Sequence, residues 1–132
     1  MPVIQRDSTG TGLACDHWNG EEKKQCYCSG AIVGRDDVFR GFDAFCDKIS
    51  VDKDGPGVKG NTFAEYTNWL PTQKIEYRIH NTCGDTYTVK RDDCGTNFVR
   101  LVDWCEWTWL THKGGWYDVS SCIRFEYDAN TR

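Results

Sequence analysis

The chain has 132 residues, 27% of them charged, and a formal net charge of −4. This is close to the modal length of one domain and enough for a real core, so a single domain spanning 1–132 is expected. The acidic balance disfavours a groove for nucleic-acid phosphates, and no apolar run of about 18 residues offers a membrane span. No nucleic-acid partner and no membrane insertion are therefore expected.

Eight cysteines stand at Cys15, Cys26, Cys28, Cys46, Cys83, Cys94, Cys105 and Cys122. An even count spread along a chain this short reads as a disulfide framework in an oxidising compartment, hence a secreted, extracellular protein. A zinc site needs two ligand pairs at short spacing. Here the one close pair is a C-x-C, and His17, His80 and His112 are scattered, so no metal and no cofactor are expected. The start, MPVIQRDSTGTG, lacks a basic-then-apolar leader and reads as a mature N-terminus. On the order of a hundred pairings are open to eight cysteines, and the sequence does not choose among them.

Residues 1–34, rich in Gly, Thr, Ser and charge, read as an irregular arm tethered by Cys15, Cys26 and Cys28, with a short strand at 31–33. The body is expected over 35–132. Val38, Phe42, Phe45 and Ile49 recur at helical spacing, with Asp36 or Asp37 as N-cap and Cys46 beside the stripe. The glycine-rich DKDGPGVKG then makes a loop. From residue 62 the period becomes two: TFAEYTNWL and KIEYRIHN are strands joined by a turn at Pro71-Thr72. TYTV at 86–89 reads as a third strand, and Asp92 or Asp93 as the cap of a second helix. Phe98, Leu101, Val102, Cys105 and Trp109 form that helix's buried stripe, with Arg100, Asp103 and Trp107 on its polar face. A loop, HKGGWYDVSS, leads to a last strand, CIRFEY. Strands mixed with helices without regular βαβ alternation indicate α+β: an antiparallel sheet of four or five strands packed with two main helices. Cys46 and Cys105 are expected to bond outward, to the arm or a strand.

Two constellations carry chemistry. Six Trp and six Tyr are many for this length, and aromatic rings stack on sugar C–H faces while nearby polar groups bond the hydroxyls. Three places are candidates for ligand contact: Trp116-Tyr117-Asp118 after two glycines that let a ligand approach the backbone, Trp69 beside Asn68, and Trp107 near Arg100. The second constellation is Glu76, Arg78 and His80 on one face of a strand, with Arg124 and Glu126 on a possible neighbour. A carboxylate, a guanidinium and an imidazole are the parts a small ribonuclease needs, although charges alternate on many solvated sheet faces. No G-x-S-x-G, phosphate-binding loop or H-E-x-x-H occurs. The acid pairs before the helices are explained by capping, and Asp52-x-Asp54-Gly55 lacks the remaining ligands of a calcium loop.

The order FDAFC, YRIHN, TYTVKRDDCGTNFVRLVDWC, GGW and a closing C-x-R-F resembles small secreted fungal glycan-binding proteins of the ink-cap mushroom type, an α/β-sandwich related to the killer-toxin fold. The resemblance covers about residues 36–128, and its specificity lies in the order and spacing of motifs that are weak singly. It implies a lectin for fucosylated or GalNAc-containing glycans or glycoproteins, with possible cytotoxic or defensive activity and homodimers paired at a sheet edge. A ribonuclease, or a killer-toxin-like effector acting on a protein target, are the alternatives.

Overall fold

The structure is a computed structural model that describes residues 23–27, 29–105 and 113–132. Five strands form one antiparallel sheet: β1 (Lys24–Cys26), β2 (Thr62–Trp69), β3 (Gln73–Asn81), β4 (Gly114–Asp118) and β5 (Ile123–Thr131). Their order is β1-β4-β5-β3-β2. Two helices, α1 (Arg35–Ile49) and α2 (Arg91–Cys105), pack on one face of the sheet. The fold is thus α+β, as its pattern of periods indicated.

The core follows from those periods. Val38, Phe42, Phe45 and Ile49 of α1 and Phe98, Leu101 and Val102 of α2 are buried against Ile75, Tyr77 and Ile79 of β3 and Phe125, Tyr127 and Ala129 of β5. Phe98 sits at the centre, stacked on Phe42 with ring centroids 5.4 Å apart and edge-on to Phe125 at 5.1 Å. Burial pushes the Tyr77 hydroxyl above its ordinary pKa, and the protonated group donates to the carbonyl of Val38 at 2.9 Å. Gly41 makes this approach possible, because a Cβ there would collide with the Tyr77 ring. The α1 stripe therefore needs a glycine on the turn facing β3.

Both helix starts differ from expectation. Gly34 is the N-cap residue of α1 and makes no side-chain cap bond, while Asp36 and Asp37 lie in the first turn, where negative charge favours the helix dipole. Asp92 and Asp93 likewise fall inside the first turn of α2. The carboxylate that meets that end is Asp52, which accepts from the Arg91 N–H at 2.9 Å. Capping here is a tertiary contact from a single 3₁₀ turn, Val51–Lys53, so local spacing could not reveal it.

Three strand assignments also differ. Residues 86–89 do not form a strand: Tyr87 makes one isolated bridge, to Val58. In the segment read as an arm, the strand lies at Lys24–Cys26; at 31–33 the chain has only an isolated bridge at Val33, and the Ala31 N–H donates to the Ala129 carbonyl at 2.9 Å. The segment read as a loop after residue 113 is β4, inserted between β1 and β5. Gly114 and Gly115 permit this insertion. Gly114 has φ +121° and lies against the Tyr127 backbone, and a Cβ at Gly115 would meet Gln25 O and, at 2.7 Å, Cys105 Sγ. The space these glycines leave is filled by the protein's own backbone, not kept for a ligand.

Among the described residues three disulfides tie the layers. Cys26–Cys105 joins β1 to the end of α2, Cys46–Cys94 joins the two helices, and Cys83–Cys122 joins the end of β3 to the start of β5. Cys105 thus bonds outward to the arm segment as expected, whereas Cys46 bonds to the other helix. Cys26–Cys105 closes 79 residues, and its loop-closure contribution is about 4 kcal/mol in the chain-entropy picture. Cys15 and Cys28 lie outside the described residues. Among the described residues no helix is long and apolar enough to cross a membrane.

Candidate functional site

The helices cover one face of the sheet, and among the described residues no helix packs on the other, the open face. Side chains alternate along a strand, so the residues between the buried positions of β3 and β5 share the open face. Register then sets the rows. Glu65 of β2, Arg78 of β3, Glu126 of β5 and Trp116 of β4 lie side by side, as do Phe63, His80, Arg124 and Asp118 in the next row.

Within these rows lies a cleft of about 400 Å³, walled by Tyr27 and Trp116 and lined by His80, Asp118, Arg124 and Glu126. Glu126 is its hub. One carboxylate oxygen accepts from the Tyr27 hydroxyl; the other lies 2.9 Å from His80 Nε2 and 3.5 Å from the Arg78 guanidinium. Burial alone pushes the Glu126 carboxyl up. The bonds from His80 and Tyr27 and the charges of His80 and Arg78 outweigh it and hold the group below its ordinary pKa of 4.5. An ionised carboxylate has no proton to give, so His80 Nε2 is the donor of this pair.

Arg78 is shared among three acids: Glu65 at 3.0 Å, Glu76 at 3.3 Å and Glu126. Burial opposes its charge, but these carboxylates reverse the effect and raise its pKa. Arg124 makes two bonds to Asp118, at 2.7 and 3.0 Å, and its guanidinium lies over the Trp116 ring, 3.8 Å from the centroid. The Asp118 bonds raise its pKa against the effect of burial. A planar guanidinium suits this role because it can pair with a carboxylate and stack on an indole together. Four carboxylates thus face two guanidinium groups, and the open face is acidic here.

The residues singled out from sequence separate. Arg78, His80 and Asp118 come together at or beside the cleft, with Glu76 bound to Arg78. Trp116 reaches the cleft from a strand rather than a loop and is only 6% exposed, its outer face covered by Arg124. It is a wall, not an open stacking platform. Its Nε1 has no hydrogen-bond partner among the described residues. Tyr117 points to the helix side, edge-on to Trp104 at 4.6 Å. Asn68 turns inward and donates to the Asp37 carbonyl at 3.0 Å. Arg100 is exposed on α2, which packs on the opposite face. Trp69 is 58% exposed, on the open face but at its far end. Trp107, Trp109 and His112 lie outside the described residues.

Tyr27 was not foreseen. Period-two reading could have found it, since Gln25 and Tyr27 alternate with Cys26, but three residues of strand beside a C-x-C gave too short a pattern. Among the described residues no cluster of His, Cys, Asp and Glu has a metal-binding arrangement. No protein-family model matches the chain, and no curated protein is similar to it.

Proposed function

We propose that the protein is a secreted carbohydrate-binding protein whose ligand occupies the cleft between Tyr27, Trp116 and His80. The observation that carries this reading is the hydrogen-bond hub on Glu126: donors and acceptors of several kinds are held in fixed positions on a rigid sheet, in a cleft of monosaccharide to disaccharide size. Preorganised polar groups of both signs suit a neutral polyhydroxylated ligand, and the surplus of carboxylates disfavours a phosphate. Asp118 and Glu126 would accept from sugar hydroxyls, and Arg124 would donate to them, with Tyr27 and Trp116 supplying the apolar wall. The three disulfides support an oxidising, extracellular setting. Fucosylated and GalNAc-containing glycans, implied by the sequence resemblance, are the first ligands to try, and a cytotoxic or defensive role belongs to the same reading. β2 ends the sheet with an eight-residue open edge; a homodimer paired there would raise affinity by avidity.

A glycan array probed with the wild-type protein, Glu126→Gln and Arg124→Ala tests this. Selective binding by the wild type and loss of most signal in both variants, with melting curves still cooperative, is the expected result. Undiminished binding by both variants would move the site elsewhere.

One contact favours a second reading. His80, Glu126, Tyr27 and Arg78 in mutual contact resemble the parts of a ribonuclease site, now with Glu126 rather than Glu76 beside His80. Glu126 would take the 2′-hydroxyl proton as the O2′–P bond forms and the P–O5′ bond breaks, with the His80 imidazolium giving its proton to the leaving oxygen. The lowered pKa of Glu126 makes it a weak base, and the local acidity repels phosphate. RNA cleavage that disappears in His80→Ala, without glycan binding, would establish this reading over the first.

A further inference from the structure

The open face of the sheet has a second feature, about 20 Å from His80, six residues back along β3. Trp69 on β2 faces Lys74 on β3 across the strand pair. The indole is 58% exposed, among the most exposed large hydrophobic side chains of the described residues. Two cations flank it: the Arg132 guanidinium lies 5.0 Å from the ring centroid and Lys74 Nζ lies 5.7 Å from it. Arg132 is held there by its bond to the Leu70 carbonyl at 2.9 Å and by its own N–H, which donates to Thr72 O at 3.1 Å. Both partners belong to the β2–β3 turn, so the cation is anchored to the element that presents the ring.

The charge pattern is the reverse of that in the cleft. There each guanidinium is paired with at least one carboxylate, whereas neither Lys74 nor Arg132 enters an ion pair among the described residues. Neighbouring Asn130, opposite Lys74 in the register, is polar and uncharged. The exposed ring thus lies between two cations that make no ion pair among the described residues, the carboxylates of the next row being engaged elsewhere, Glu76 by Arg78 and Asp128 by Asn130, so the cations can meet an incoming anion.

We infer that Trp69, Lys74 and Arg132 form a second binding site, for an acidic saccharide bearing a carboxylate or a sulfate. The sugar ring packs on the indole, and its acidic group takes the position that a carboxylate partner of Lys74 and Arg132 would hold. A guanidinium and an ammonium on one ring suit an anion with several acceptor oxygens. The choice of a sugar over another anion rests on the glycan-binding reading above; the placement of the anion does not. Because Arg132 is exposed and Lys74 half-buried, this binding falls as salt rises, while binding of a neutral sugar in the cleft does not.

The test is calorimetric titration of a sulfated or uronic-acid oligosaccharide and of its neutral counterpart into wild type, Trp69→Ala, Lys74→Glu and the cleft variant Glu126→Gln. Vesicles containing phosphatidylserine are a further arm. The expected result is acidic-sugar binding that Trp69→Ala and Lys74→Glu each weaken about tenfold or more and Glu126→Gln leaves unchanged. Acidic-sugar binding lost only in Glu126→Gln overturns the second site and leaves one glycan site, in the cleft. Neutral-sugar binding without any acidic-sugar binding overturns the inference while the lectin reading stands. Vesicle binding through Trp69 with no sugar bound overturns both, since the anion is then a lipid headgroup.

Discussion

The two ends of the open sheet face solve opposite problems. At the cleft, aromatic rings and charges are turned on one another: Arg124 covers Trp116, Tyr27 donates to Glu126, and Arg78 is divided among three acids. At the Trp69 end the ring stays exposed and the two cations beside it make no ion pair among the described residues. The first arrangement is rigid and coupled to folding. The second is loosely tied to stability and free to respond to a ligand. Exposure of an indole is therefore set by its neighbours: Arg124 lies over Trp116, while Trp69 at the end of the sheet keeps most of its surface in solvent.

The contrast is sharpest in stability. Glu126→Leu should cost about 2–4 kcal/mol, because it leaves Tyr27, His80 and Arg78 without the acceptor that holds them in a half-buried site. Urea denaturation, read as a fall in midpoint at constant slope, measures it. A loss below about 0.5 kcal/mol would mean that the hub contributes little and the cleft is not preorganised. The same contact can be probed by pH. Glu126 has a lowered folded-state pKa, so its contribution is complete above its unfolded value near 4.5 and is lost as pH falls through the lowered value. Glu126→Gln should flatten that part of the stability profile; an unchanged acid limb would assign it to other carboxylates.

A smaller effect is expected at the wall. Arg124→Ala removes the paired bonds to Asp118 and the cover over Trp116, about 1 kcal/mol once the partial exposure of the pair is discounted. It should also make Trp116 accessible, so the iodide-quenchable share of tryptophan fluorescence rises. No rise would mean that other groups shield the ring. The least change is expected from Trp69→Ala, within about 0.5 kcal/mol of wild type by the same denaturation assay, as befits an exposed side chain outside the core. A loss as large as that of Glu126→Leu would erase the distinction between the two ends.

Periodicity made much of this legible. The alternation of Ile75, Tyr77 and Ile79 with Glu76, Arg78 and His80 assigned the two faces of β3, because a strand sends successive side chains to opposite sides. The stripes of α1 and α2 were readable for the equivalent reason at 3.6 residues per turn. Legibility failed at β4 and β1, which are short, and at 86–89, whose alternation found no strand to pair with beyond one bridge. A glycine pair read as openness turned out to be crowding, since Gly114 and Gly115 are small for β5 and the Cys26–Cys105 disulfide.

The amino-acid sequence by itself determined the class of fold and the membership of each long element's faces, both of which depend on residues close along the chain, but left the pairing of the cysteines open. Tertiary structure alone decided the strand order, and with it the meeting of Glu126 with His80, Tyr27 and Arg78. It also decided which tryptophan is covered and which is left in solvent. The reason is that hydrogen-bonded registry joins residues up to 99 positions apart, and no local pattern records which distant strand will supply the next row.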